Sequence, residues 1–330
     1  ASGWLLVGVW LSVWALALGV ARRRLPAQVV LAVLALLVLD LARVDARYIR
    51  VVSPEEQFAA DPLQAELAAG MDPLARVFPL PEPGGYGPNA MMLHDIRSVT
   101  GMQNFRLRWT ERLIGGLSYQ NLFTPSLWPM FDLHYVITRQ QVDTPLLAAG
   151  STGPRGTAWR VTAESPHAWF PRRVEAEGDS ARALQLLLGR SDPSDFALVA
   201  AEGEGSAADP PPAGRGTARV VSFTPNEVAL EVEAEDAGLL VVSEIYHPNW
   251  RATVDGETVP VLRADVALRG VEVPAGRHEV RFTYAAGAVR WGVVVGLLAL
   301  LASIVGIVVS ARRAADAAAA EPAEREPAAR

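Results

Sequence analysis

The stretch Trp291–Ser310, WGVVVGLLALLASIVGIVVS, carries no charged residue from end to end. A helix needs about 20 apolar residues to cross ~30 Å of hydrocarbon, and this run meets that length. Gly3–Ala21 is almost as apolar, and Leu25–Ala42 is interrupted only by Gln28 and a late Asp40. The sequence thus predicts three transmembrane helices, at 3–21, 25–42 and 291–310, with a large polar region between the second and third. A signal peptide is disfavoured for the first run. No basic segment precedes it, and a second apolar run follows at once.

Arginine sets the predicted orientation. Arg22, Arg23 and Arg24 fill the short loop between the first two runs, and Arg312 and Arg313 follow the third. Short cytoplasmic loops collect basic residues. Both clusters fall on one side if all three runs span. The expectation is a multi-pass protein of the inner (plasma) membrane, with its large domain extracytoplasmic and its C-terminus cytoplasmic. Residues 311–330, rich in Ala, Glu, Pro and Arg, are expected to form a disordered cytoplasmic tail. The chain opens on apolar sequence without a Met, so further spans are expected upstream.

Composition narrows the partners. The formal net charge of −6 argues against nucleic acid, and the lipid bilayer is the partner that the apolar runs require. With no cysteine there is neither a disulfide framework nor a thiolate metal site. The five histidines, His94, His134, His167, His247 and His278, form no HxH or HExxH pair. No metal or cofactor is expected in this chain. No GxSxG or P-loop pattern is present either.

Just upstream of the third run, residues 217–288 alternate with period two. In Glu227–Glu233 the valines and Leu230 face one way and the glutamates the other; His278–Tyr284 repeats the pattern. Asp255-Gly256 marks a tight hairpin turn, and Leu239–Val242 is a continuous apolar run suited to a central strand. These short strands predict a C-terminal antiparallel β-sandwich. Residues 207–216, AADPPPAGRG, read as a Pro/Gly linker. Before it, residues 43–206 predict a small extracytoplasmic α/β domain. Its elements are a helix from Pro62 to Ala69 capped by Asp61, a strand at Arg76–Leu80, a short helix at Thr124–Leu133, a strand at His134–Thr138, a helix at Ala181–Leu188 and a strand at Phe196–Ala200. The predicted fold class is integral membrane, α+β.

One loop is dense in polar chemistry: Tyr86–Asn104, YGPNAMMLHDIRSVTGMQN. Asn89, Asp95, Arg97 and Asn104 are candidate substrate-binding residues, with Asp95 and Arg97 suited to orient a hydroxylated ligand. The alternative is a loop whose polar groups satisfy its own backbone. No residue is assigned as catalytic. Trp250 reads as core, and Asp40 sits near enough to a span end to reach water.

Several segments together resemble the bacterial YfhO-type membrane proteins. They are Ser243–Gly256 (SEIYHPNWRATVDG), Val259-Pro260-Val261, Arg263-Ala264, and Val273–Gly276 with His278 and Phe282. Asn89 with Ile96–Gly101, Phe131–Thr138, Phe170-Pro171-Arg172, Ser191–Phe196, and Leu39–Leu41 with Tyr48 extend the likeness from about residue 28 to 305. Asn249 stands where the family usually has Gly. The resemblance implies membership of the C-type polytopic glycosyltransferase superfamily. Such a protein would move a sugar from a polyprenyl-phosphate donor to a cell-envelope acceptor. The superfamily's essential acidic residue lies in the first external loop of the full protein and maps to no position here. On this reading the chain is the C-terminal portion, supplies the acceptor-binding domain, and is inactive without its N-terminal transmembrane bundle. Its partners would be a lipid-linked sugar and an envelope glycan, and the need of the parent enzyme for a divalent metal is left open. The rival expectations are a non-enzymatic, membrane-anchored glycan- or protein-binding module of the envelope, and an accessory to a transporter or flippase.

Overall fold

The fold comes from a computed structural model that describes residues 27–48, 53, 55, 58–102, 106–207, 209–285 and 287–319. The first expected span, Asn104 and residues 320–330 lie outside the described residues. In chain order the elements are α1 (Ala27–Tyr48), α2 (Pro62–Gly70), β1 (Arg76–Pro79), β2 (Arg97–Ser98), α3 (Arg108–Ile114), β3 (Leu133–Thr138), β4 (Leu147–Ala148), β5 (Thr152–Gly153), β6 (Gly156–Val161), β7 (Ala168–Trp169), β8 (Val174–Glu177), α4 (Ser180–Leu188), β9 (Ala197–Ala200), β10 (Gly216–Thr224), β11 (Glu227–Ala234), β12 (Gly238–Ile245), β13 (Trp250–Val254), β14 (Glu257–Val259), β15 (Leu262–Ala264), β16 (Leu268–Val273), β17 (Gly276–Tyr284) and α5 (Gly287–Ala319).

Residues up to 59 form one unit and residues 60–330 another. In the first, α1 exposes Leu31, Leu36, Val38 and Leu39. In the second, α5 exposes its apolar residues all round, from Trp291 to Val309. A helix that is apolar on every face and packs on nothing suits lipid. Among the described residues one helix, Trp291–Arg313, is long and apolar enough to cross a membrane. The three expected spans are therefore not all visible. α5 also runs past Ser310, so residues 311–319 are helical where a disordered tail was expected. The run of alanine after Arg313 explains this, alanine being the strongest helix former.

The remainder is built from three open sheets. The first, ordered β2-β1-β3-β6-β4 with β5 on β6, is mixed: β1 runs parallel to β2 and β3, and β3 antiparallel to β6. Leu63 and Leu67 of α2 cover one face through Val77, Ile137 and Ala158. The N-terminus of α2 is fixed as the sequence predicts. Asp61 accepts from Gln64 N, and the Gln64 side chain accepts from Asp61 N, a reciprocal capping box. On the other face, Phe78 and Val136 meet Leu113 of α3, Leu187 of α4, and Val199, Leu239 and Val241 of the second sheet. That sheet is ordered β7-β12-β16-β15-β9-β8. Its far face presents Leu240, Val242, Val271 and Val273 to Val228, Leu230, Ala252 and Phe282 of the third sheet, β10-β11-β17-β13-β14. The apolar run Leu239–Val242 thus has a physical cause. β12 is buried on both faces, its odd residues in one core and its even residues in the other.

Three further expectations change. The sandwich does not begin at residue 217, because β7, β8 and β9 come from before the Pro/Gly stretch and complete its second sheet. Nor is 207–216 a free tether. Leu239 N donates to Pro212 O at 3.0 Å, and Gly214 lies against Gly238 so closely that a Cβ on Gly238 would meet Gly214 N at 2.3 Å. The predicted helix at Thr124–Leu133 is instead two 3-10 turns, Pro125–Leu127 and Pro129–Phe131. Pro129 has no N–H to give an α-helical ladder and clashes with the preceding turn.

Phe282, fully buried between the sheets, sets a test of the sandwich core. Phe282→Ala is expected to destabilise the 60–330 unit by about 3–5 kcal/mol in denaturant unfolding of the detergent-solubilised chain. Arg219→Ala, which removes an exposed pair with Glu231, is expected to change it by about 1 kcal/mol or less.

Candidate functional site

Buried charge concentrates where the first and second sheets meet. Glu244, at the end of β12, is the centre. Its Oε1 accepts from Arg76 Nη2 of β1 at 2.7 Å and from Arg97 Nη2 of β2 at 2.5 Å. Arg269 of β16 brings Nη2 to 3.5 Å from Glu244 Oε2. Arg76 is locked further: Nη1 donates to Phe131 O and to Ser243 Oγ, and Nη2 to Ser243 O. Ser243 Oγ in turn donates to Met130 O at 2.8 Å. Arg97 also donates to Leu74 O.

A second carboxylate adjoins this cluster. Asp132, in the left-handed region at the entry to β3, accepts His134 Nε2 at 3.0 Å on one oxygen and His167 Nδ1 at 2.8 Å on the other. His167 Nε2 lies 3.5 Å from Glu244 Oε1, so one imidazole joins the two acids. Aromatic rings of the third sheet close the site. Phe223 lies under the Arg97 guanidinium at 4.5 Å, and Trp250 under Arg269 at 3.9 Å.

The electrostatics follow from burial and partners. Burial alone would push the Glu244 carboxyl up, but Arg76, Arg97, Arg269 and His167 outweigh it and hold its pKa at about 2, against an ordinary 4.5. Burial likewise opposes ionisation of Asp132, and its bonds to His134 and His167 hold it well below the usual range. The bond to Asp132 raises His134. Burial pushes the Arg269 guanidinium down to about 10. Glu244 is engaged on both oxygens and cannot serve as a free base. The cluster can order, and through its open edge it can bind. That edge consists of Arg97, its side chain 21% exposed, and His134, 40% exposed. His134 also lines an open cleft of about 430 Å³ with Tyr135, Arg160, Thr162, Glu164 and Ser165. An aromatic ring beside guanidinium, carboxylate, imidazole and hydroxyl groups can hold a polyhydroxylated ligand.

Of the candidates read from sequence, Arg97 enters this site. Asp95 does not share it. Asp95 sits exposed at φ 58°, capping the turn Met92–His94, a backbone state that aspartate tolerates. Asn89 clamps the loop backbone, accepting from Met102 N and donating to Met102 O. Among the described residues, no group of three His, Asp or Glu side chains is arranged to hold a metal ion.

The last strand of the layered α+β head runs into a helix long and apolar enough to cross a membrane. Residues 215–296, about a quarter of the chain, match the family described as bacterial membrane protein YfhO. The match covers the third sheet, three of the six strands of the second and the start of α5. No curated protein matches the chain, and no solved structure does.

Glu244→Ala leaves three arginines without their common anion and is expected to cost about 3–5 kcal/mol. Glu244 has a folded pKa below its unfolded one. Its contribution is therefore complete above about pH 4.5 and is lost as pH falls toward 2. Asp132 acts in the same direction. Thermal unfolding of the wild type and of Glu244→Gln should converge as pH drops through that window.

Proposed function

We propose that this chain is the C-terminal part of a polytopic membrane glycosyltransferase-like protein. Its extracytoplasmic head would hold the cell-envelope acceptor for a sugar carried on a polyprenyl phosphate. The observation that carries this reading is the YfhO-type match ending inside α5, coupled to a link of only two residues between β17 and that helix. A lipid-linked donor presents its sugar at the membrane face, and a head joined so tightly to its anchor is kept there. The arginine clusters Arg22–Arg24 and Arg312-Arg313 support a cytoplasmic C-terminus and an external head.

The acceptor lies in the His134–Ser165 cleft. Tyr135 offers a ring face, and Arg160 and Glu164 hydrogen-bond sugar hydroxyls. The Glu244 and Asp132 clusters hold His134 in place. The buried acids Glu244, Asp132 and Asp265 are each engaged by cations or hydrogen bonds, which fits a head that binds acceptor while a carboxylate elsewhere activates it.

Membranes holding the full-length protein are expected to move labelled sugar from a polyprenyl-phosphate donor to envelope glycan. Residues 1–330 alone are expected to bind glycan without transfer. Arg160→Ala and Glu164→Ala should each raise the KM for acceptor about tenfold, the scale of one lost hydrogen bond to a charged group, and leave the KM for donor unchanged. Glycan binding without transfer by the full-length protein would instead mark a non-enzymatic binding module. Transfer by residues 1–330 alone would overturn the division of labour.

A further inference from the structure

The anchored end of the sandwich can be traced residue by residue. β17 ends at Tyr284 and α5 begins at Gly287, so even a fully extended link spans only about 10 Å. Tyr284 N donates to Asn226 O at the tip of the β10–β11 hairpin, and Ala285 N donates to Asn249 O. The Tyr284 ring lies 5.5 Å from that of His247. One residue back, Tyr246 meets Trp109 of α3 edge to face at 5.9 Å, and Trp109 Nε1 donates to Tyr246 O. Arg263 stacks over Trp109 at 5.3 Å. Arg108 and Arg251 flank the same spot and are exposed.

The two ends of the sandwich differ in charge. At the far end, where Ala234 pairs with Gly276, arginines are matched by acids: Arg215 with Glu235 and Asp236, and Arg277 with Glu233. At the anchored end Arg281 is matched by Glu227, but Arg251 donates to the carbonyls of Pro248 and Trp250, and Arg263 to those of Glu204 and Val266. Among the described residues, neither these two nor Arg108 has a carboxylate within salt-bridge distance. Trp291, 72% exposed, stands one turn into α5. Aromatic rings settle at the membrane–water boundary, and arginines are drawn to anionic headgroups.

We infer that this rim is a lipid-docking surface. Arg108, Arg251 and Arg263 meet the phosphates of an anionic leaflet, with Trp109, His247 and Tyr284 at the headgroup level. The head rests on the bilayer on this face and does not float above it. The inference takes α5 as a membrane span, as the proposed function does.

The chain has no cysteine, so single reporters can be placed cleanly. Environment-sensitive labels go on Pro225→Cys at the rim, Glu235→Cys at the far end and Ile307→Cys within α5. The full chain is reconstituted in phosphatidylcholine vesicles with and without phosphatidylglycerol, and quenched by lipids spin-labelled at the headgroup or mid-chain. Headgroup quenching should be severalfold stronger at 225 than at 235 and should rise with phosphatidylglycerol. The pair Arg108→Gln and Arg251→Gln should abolish that rise. Equal quenching at 225 and 235, with Ile307→Cys quenched from mid-chain, would overturn the docking surface and leave the span intact. A label at 307 that mid-chain lipid fails to quench would overturn the span reading, and the docking surface with it.

Discussion

One carboxylate holds three strands of two sheets in register. Glu244 receives guanidinium groups from β1, β2 and β16 and leans on His167, which Asp132 steadies from the other side. Arg76 and Arg269 are removed from water, Arg97 largely so, and each would be costly to bury alone. Each is tolerable because the three share an anion; carbonyls take further donors of Arg76 and Arg97, while Arg269, whose Nε and Nη1 find no hydrogen-bond partner, lies against the rings of Trp250 and Phe282. This mutual dependence fixes how the first sheet meets the second. The third sheet is drawn in by Phe223 and Trp250, whose rings cover two of the same guanidinium groups.

The apolar layers follow from that geometry. β12 must carry Leu and Val on both faces because it lies between two cores. At its end it must switch to Ser243 and Glu244, because there the arginines need a partner. His134 leaves the same cluster and reaches the neighbouring cleft. The position of that side chain is thus set by ion pairs buried behind it, and a ligand in the cleft would meet an imidazole already oriented.

The strands of the third sheet were plain in the sequence, because one wet face and one dry face leave a period-two trace at Glu227–Glu233 and His278–Tyr284. The Asp61 cap was equally plain, since its partners lie within one turn. The contribution of β7, β8 and β9 was not. β7 is two residues long and pairs with the distant β12, β8 is an edge strand with little apolar signal, and β9 joins the rest of the sheet only through the distant β15. Asp95 and Arg97 looked like partners because they are neighbours in sequence. The true partner of Arg97 is 147 positions away, and a long-range ion pair leaves no periodic mark. One signal was available: Ser243 and Glu244 end a fully buried apolar run, and an acid in that position requires a buried cation.

The brevity of the joint between β17 and α5 has a thermodynamic reach beyond architecture. Were α5 seated in a bilayer, a globule on so short a leash would stay within a thin slab of solution, and any ligand confined to the same leaflet would share that slab. Encounters would then become two-dimensional, and the effective concentration of each for the other would approach roughly the millimolar range. A surface that would grip its ligand too weakly to matter in free solution can then stay occupied. Selection on such a head would favour quick exchange over tight grip.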